Sequence, residues 1–270
     1  MMDELKDLVK EAQDGNELAL EDLVRAVQDP VHHLAMRMLV DPDDALEAAQ
    51  EILILVVTKL STFKGESKFL TWVYRVATNY LLNAKKSLAR EKGLSFEAFG
   101  ADLEDGLLVD QTPLADDVVL LNELRISCTM AMLLCLDLPH RVAYVLGDVL
   151  ELDHLEASEI LEISKDNFRQ RLARARKQVF SFSSSYCGVV SSEAKCSCSR
   201  RLPKAVELGR VNKQSLVYSI DGAPSYEDVL SEVKTVESDL KALKSQSATA
   251  FYKSPCDLAM RISEIVSWPT

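Results

Sequence analysis

Phe69, Trp72, Val73, Val76, Ala77 and Tyr80 recur at three- and four-residue steps within the stretch Phe63–Lys86. A helix gathers that spacing into one buried stripe, and a strand cannot. The other side carries Thr71, Arg75, Asn79, Leu82 and Lys86, with Lys85, Arg90 and Lys92 beside or after it. A helix that buries aromatics on one face and lines up Arg, Asn and Lys on another suits a nucleic-acid strand. Basic groups hold phosphates there, while amides and rings meet bases. An ordinary amphipathic core helix with a solvated far side has the same pattern, so periodicity alone leaves both readings open.

Similar spacing recurs along the 270 residues, and few stretches alternate as strands do. With 47% hydrophobic residues, 6% aromatics, eight prolines and nine glycines, the chain is expected to be all-α and divided into small domains. No apolar run reaches the roughly 18 residues that a membrane span needs; Ile52–Val57, for example, is interrupted at Thr58 and Lys59. The acidic, amphipathic N-terminus is unlike a secretory signal, so a cytoplasmic protein without membrane contact is expected. Six cysteines are too few for a disulfide scaffold and point to thiols or a metal site. A net charge of −11 argues against unaided duplex binding. That charge is sorted, however: residues 41–51 and 102–117 are acidic, whereas residues 165–177 are basic. Local sign decides which surface approaches phosphate.

In chain order, Gly15-Asn16 separates two short helices and Pro30 begins a third. His32 and His33, neighbours that cannot share a helix face, read as polar surface or core edge. Asp41 caps a helix with Pro42 in its first turn. Asp44, Glu47 and Glu51, with Gln50 beside them, fall on one face of it. That face is either solvated or a dock for a basic partner. Residues 93–121, acidic and without periodicity, read as a flexible linker. Within 122–182, the segments Leu155–Leu161 and Lys165–Phe180 flank a short turn, the helix-turn-helix pattern. The second of these presents Lys165, Asn167, Arg169, Gln170, Arg171, Arg174 and Arg176. Arg and Gln are suited to reading G and A edges in a major groove.

These residues resemble bacterial RNA polymerase sigma factors of the extracytoplasmic-function type. The first unit is similar to a sigma-2 module in Asp44-Ala45, Gln50-Glu51, Lys59-Leu60, Phe63-x-Gly65-x-Ser67-x-Phe69-x-Thr71-Trp72-x-Tyr74-Arg75-x-Ala77-x-Asn79 and Leu82-Asn83. The second is similar to a sigma-4 module in Leu138-Pro139-x-Arg141, Glu159-Ile160-Leu161-x-Ile163-Ser164 and Arg169-x-Arg171-Leu172-x-Arg174-Ala175-Arg176. The resemblance spans roughly residues 18–182 and implies a sigma-2 bundle over 1–92, a linker over 93–121 and a sigma-4 helix-turn-helix over 122–182. It implies that Asp44, Glu47, Gln50 and Glu51 grip the β′ clamp of core RNA polymerase. Phe63, Lys64, Ser67, Trp72, Arg75, Asn79, Lys85 and Lys86 would take the minus-ten promoter strand and a flipped base. The second module would read the minus-thirty-five element. An anti-sigma factor is a further implied partner, and no catalytic residue is implied, the chemistry belonging to the polymerase. Glu162 departs from the family by standing where glycine is common in the turn, and Asn167-Phe168 replaces a smaller pair. Two other classes stay in view: a stand-alone helix-turn-helix regulator, and a metal- or redox-sensing interaction protein.

Residues 183–270 lie beyond a minimal factor and read as a helical extension. Cys187, Cys196 and Cys198 sit within twelve residues, and three thiolates suit zinc or copper(I). The tail has no histidine, so a fourth ligand is expected from Cys256, from another domain or from solvent. Packing of the tail against the sigma-like modules is the alternative role.

Overall fold

The computed structural model describes residues 2–88, 94–105, 107 and 118–265. Its elements are α1 (Met2–Gln13), α2 (Glu17–Leu39), α3 (Pro42–Thr58), α4 (Phe69–Leu88), α5 (Phe96–Glu104), α6 (Val118–Cys135), α7 (Leu138–Tyr144), α8 (His154–Ile160), α9 (Lys165–Tyr186), α10 (Cys198–Glu207), α11 (Tyr226–Thr235), α12 (Ser238–Ser247) and α13 (Leu258–Ile265). The chain is all-α, as expected; among the described residues β pairing is limited to one isolated bridge, Cys187 with Cys196. Many helices begin where the sequence supplies a capping oxygen. Asn16 accepts from the amides of Leu18 and Ala19, Asp41 from Asp43 and Asp44, and Asp153 from Leu155 and Glu156. Ser95, Ser197 and Ser225 cap α5, α10 and α11. Each such bond satisfies an amide that would otherwise lack a helical partner.

The chain forms two compact units: Met1–Glu91 with Asp153–Phe168 and Tyr252–Thr270, and Lys92–Leu152 with Arg169–Phe251. In the first, α2 is the central helix, packed by α1, α3, α4 and α13. Nine consecutive residues, Val31–Leu39, are buried, so α2 is enclosed on every side over its second half. Pro30 lies inside α2 and does not start a new helix. Its ring removes one amide donor, a local cost that the burial of fourteen α2 side chains outweighs.

His32 and His33 are 5% and 4% exposed, so of the two readings, polar surface or core edge, the first does not hold. The chain at Tyr252 covers them. His32 Nδ1 lies 3.1 Å from the Tyr252 carbonyl, and the Tyr252 amide donates to His33 Nδ1 at 2.9 Å. Further along, the amides of Ser254 and Leu258 donate to the side chains of Asp29 and Gln28, and Arg25 pairs with Asp257. Because Nδ1 of His33 accepts an amide proton, its ring is neutral. Burial, then the charge of Arg37, holds its pKa down at about 3 against an ordinary 6.5. The unfolded chain therefore takes up a proton that the folded chain refuses as pH falls from 6.5 towards 3. Stability contributed by this contact is complete above pH 6.5 and is lost on acidification. At pH 5 the loss from His33 is about 2 kcal/mol. Urea unfolding at pH 7.5 and 5 checks it, and His33→Gln should flatten the difference.

The buried side of α4 is turned from the expected stripe. Phe69, Val73, Ala77 and Leu81 are buried together with Thr71, Tyr74 and Thr78, whereas Trp72, Val76 and Tyr80 are only half-buried. Two contacts account for the turn. The Thr71 hydroxyl donates to Glu156 Oε1 at 2.6 Å, and Tyr74 is buried close enough to Glu156 for its pKa to rise to about 12, through burial first and that charge second.

In the second unit α6 is as long and apolar as a membrane span, although no unbroken apolar run in the sequence suggested one. It is a core helix instead, and buries Asn122, Glu123 and Arg125 as well as its apolar residues. The Glu123 carboxylate accepts from the amides of Val217, Tyr218 and Ser219 at 2.6–3.1 Å. Asn122 donates to Ser219 Oγ and to the Pro224 carbonyl, and Arg125 donates to the carbonyls of Ser245 and Ala248. The extension thus wraps the polar side of α6. Residues 94–105 of the stretch read as linker include α5, whose Phe99 and Leu103 are buried. Phe96 and Phe99 pack on Phe182, which stacks on Tyr186. A Cβ on Gly100 would stand 2.6 Å from the Tyr186 ring, so only glycine admits that approach. The acids Asp110, Asp116 and Asp117 lie outside the described residues.

Candidate polymerase and nucleic-acid interfaces

Helix α3 carries the first candidate surface. Ala45, Ala48, Ala49, Ile52, Leu53, Val56 and Val57 face inwards, which leaves Asp44, Glu47 and Glu51 exposed and Gln50 half-buried along the opposite side. Tyr80 of α4 lies near that face; burial, then the charges of Glu51 and Glu47, raises its phenol pKa. The four sequence-predicted residues therefore share one outward face.

The second surface forms where α3 turns into α4. A 3-10 turn, Leu60–Thr62, ends at Phe63, and Gln13 of α1 donates to the carbonyls of Leu60 and Phe63 at 2.8 and 2.9 Å. Gly65 then takes φ +73, a left-handed conformation that favours glycine. This reversal brings Phe63 back onto α4. Its ring centroid lies 5.3 Å from Phe69 and 5.6 Å from Trp72, and Phe69 stacks on Trp72 at 5.7 Å. Phe69 is buried, while Phe63 and Trp72 keep partial exposure. The result is an aromatic shelf with a solvent-facing edge. Lys64 is exposed and Ser67 half-buried in the loop above it. Along α4, Asn79 is exposed and Arg75 half-buried, with Nε of Arg75 buried and without a hydrogen-bond partner. Lys85 and Lys86 fall on α4, but their side chains lie outside the described residues, as do Arg90 and Lys92.

The third surface is α9. Ser164 Oγ caps the helix by accepting from the Asn167 amide. Before it, Glu162 sits at φ +53, so the turn takes the left-handed conformation without the glycine that favours it. Phe168, Leu172 and Ala175 are buried along α9. Lys165, Asn167, Arg169, Gln170 and Arg174 are exposed, and Arg171 is half-buried. Arg176 is exposed but engaged: its guanidinium donates to both oxygens of the buried Asp148 at 2.5–3.1 Å. Helical spacing does not signal this pairing, because Asp148 lies in a π-helical turn, Val145–Val149, that continues α7.

The tail thiols form the last candidate group. Cys187, Cys196 and Cys198 line one cavity in the second unit together with Cys128 of α6, which no spacing in the sequence links to the tail thiols. Cys256 belongs to the first unit. All six cysteines are free.

The sequence matches two family models: Sigma-70 region 2 over residues 23–91 and Sigma-70, region 4 over residues 126–179. It is 30% identical over 178 residues to the ECF RNA polymerase sigma factor SigW of Bacillus subtilis (strain 168), covering 64% of this chain and 93% of that protein. The ECF RNA polymerase sigma-E factor of Escherichia coli (strain K12) is 29% identical over 183 residues, covering 66% and 95%. Among solved structures, the sigma factor RpoE in complex with the anti-sigma factor NepR from Bartonella quintana matches with a TM-score of 0.42 and 17% identity, covering 59% of this chain and 92% of that one.

Proposed function

The chain belongs to the ECF family of RNA polymerase sigma factors, and from that premise we propose how its surfaces divide the work of initiation. It is a transcription initiation factor that joins core polymerase and directs it to promoters, acting in the cytoplasm. Residues 1–92 and 122–182 serve as the sigma-2-like and sigma-4-like modules, with 93–121 between them. The acidic face Asp44, Glu47, Gln50 and Glu51 docks on the β′ clamp through charge complementarity, which sets register and encounter rate more than raw affinity. Phe63, Lys64, Ser67, Trp72, Arg75 and Asn79, with Lys85 and Lys86, take the opened minus-ten strand. The carrying observation is the half-exposed aromatic shelf of Phe63 and Trp72 beside Asn79 and Arg75. Unstacking a base costs a few kcal/mol, and a ring platform with polar neighbours offsets that cost.

Lys165, Asn167, Arg169, Gln170, Arg171 and Arg174 enter the major groove at the minus-thirty-five element. Arg176 completes the basic stretch in sequence, but its bond to Asp148 gives it first the role of fixing α9. The tail is regulatory, with Cys187, Cys196 and Cys198 as thiolate ligands for zinc or copper(I).

Run-off transcription with core enzyme on a genomic promoter pool tests this reading. Start sites that depend on the protein are expected, and their absence refutes it. Glu47→Lys combined with Glu51→Lys should weaken binding to core polymerase by about tenfold or more while leaving the helix content unchanged, since charge reversal at a rim costs on the order of 1–2 kcal/mol.

A further inference from the structure

Four of the six cysteines come from three places in the sequence and line a single cavity of about 30 Å³ in the second unit. Cys128 projects from α6, Cys187 follows the end of α9, Cys196 lies in the loop after it, and Cys198 begins α10. Cys135, one helix turn beyond the next on α6, and Cys256 do not line it. The cavity has room for about one or two water-sized bodies. We propose that Cys128, Cys187, Cys196 and Cys198 bind one zinc ion as a tetrathiolate site that fastens the tail to α6. This rests on the proposed ligand role of the three tail thiols and adds to it the fourth ligand and the choice of metal.

The backbone around these residues is built for close approach. Cys187 and Cys196 face each other across the isolated bridge, and the Gly188 amide donates to the Cys196 carbonyl at 2.8 Å. A Cβ on Gly188 would lie 2.5 Å from that carbonyl oxygen, so glycine is required for the two cysteine strands to meet. Burial, the largest cause, raises the pKa of the Cys187 and Cys198 thiols; the amides of Val189 and Val190 near Cys187, the second of which donates to the Cys187 carbonyl at 3.0 Å, and the Tyr226 hydroxyl near Cys198 oppose that rise. Donors near sulfur stabilise thiolate over thiol and orient a ligand from outside the coordination shell. Burial and the mutual proximity of Cys198, Cys196 and Cys187 hold the Cys128 thiol protonated when no cation is present.

The number and type of the ligands then select the metal. Four thiolates around a divalent cation leave a net charge of −2, and the four displaced protons go to solvent. Two buried guanidiniums, Arg125 and Arg201, line the same cavity. Arg125 opposes part of that residual −2, whereas Arg201 is already paired with Asp102 at 2.9 Å; desolvated anions need such compensation. Four sulfurs without an open position are the coordination of structural zinc. Among the described residues no group of three or more His, Cys, Asp or Glu side chains stands at ligand geometry as placed. Binding therefore includes a contraction of the four sulfurs about the cavity, towards the ~2.3 Å zinc–sulfur bond.

The test uses the full-length protein purified from zinc-containing medium. Elemental analysis should find one zinc per chain, and cobalt substitution should give the absorption of a tetrahedral thiolate complex. Alkylation with iodoacetamide followed by mass spectrometry should find Cys128, Cys187, Cys196 and Cys198 protected together until a chelator is added, with Cys135 and Cys256 unaffected by it. Cys128→Ser should release zinc to a competing chelator at least about tenfold more readily, and Cys135→Ser should not. If the wild type holds no zinc, no cobalt and no copper, both this proposal and the three-thiol reading fail. If Cys196→Ser loses the metal while Cys128→Ser keeps it at wild-type affinity and Cys128 alkylates freely, the fourth ligand is wrong and the three-thiol reading stands. A preference for copper(I), or a Cys187–Cys196 disulfide in the protein as isolated, overturns the choice of zinc. The alkylation pattern needs no variant, so the proposal remains open to refutation even if Cys128→Ser fails to fold.

Discussion

Glu123→Ala is expected to destabilise the second unit by about 3–5 kcal/mol. Glu123 is 2% exposed, and its two oxygens collect the amides of Val217, Tyr218 and Ser219. Alanine removes all of these acceptors at once, and each buried amide left without a partner costs about 1–3 kcal/mol. Glu123→Gln keeps one good acceptor and should lose roughly half as much. Because Trp72 lies in the first unit, the measurement is hydrogen exchange rather than fluorescence. Amides 217–219 and the surrounding loop should lose protection in Glu123→Ala while α2 keeps its own. A change of under about 1 kcal/mol would show that the tail does not depend on this anchor.

The second large effect is functional. Trp72→Ala should leave binding to core polymerase unchanged and reduce promoter opening about tenfold to a hundredfold, because stacking of a base on an aromatic ring is worth about 1–3 kcal/mol. Trp72 is also part of the packed group with Phe63 and Phe69, so its thermal midpoint has to be measured alongside. Trp72→Phe retains a ring and should recover most of the opening. Asn79→Ala and Arg75→Ala should open promoters poorly by the same assay, permanganate reactivity of the minus-ten thymines, at undiminished affinity for core. Normal opening by Trp72→Ala and Asn79→Ala together would remove the strand-capture role of α4.

Arg176 and Arg174 show why a basic run is not read uniformly. They are two residues apart on one helix and look alike in sequence. Asp148 takes one and not the other, and burial of Asp148 at 5% makes that pair structural. The rotation of α4 follows the same logic. Spacing predicts that one face is buried, but Thr71 and Tyr74 compete with Trp72 and Tyr80 for it. A hydroxyl that reaches Glu156 decides the outcome.

The sequence by itself determined what short-range forces control. Asn16, Asp41 and Ser164 cap helices because their side chains reach amides two or three residues away. The acidic face of α3 follows from helical spacing alone. The tertiary structure decided what depends on partners far along the chain. His33 is neutral and buried because the Tyr252 amide, 219 residues away, donates to it. Glu123 is an anchor because a loop some 95 residues downstream turns its amides inwards. Cys128 joins the tail thiols for the same reason. Periodicity marks such residues only as polar or sulfur-bearing positions on apolar helices, since burial of a polar group is favourable only where a distant segment supplies its partner.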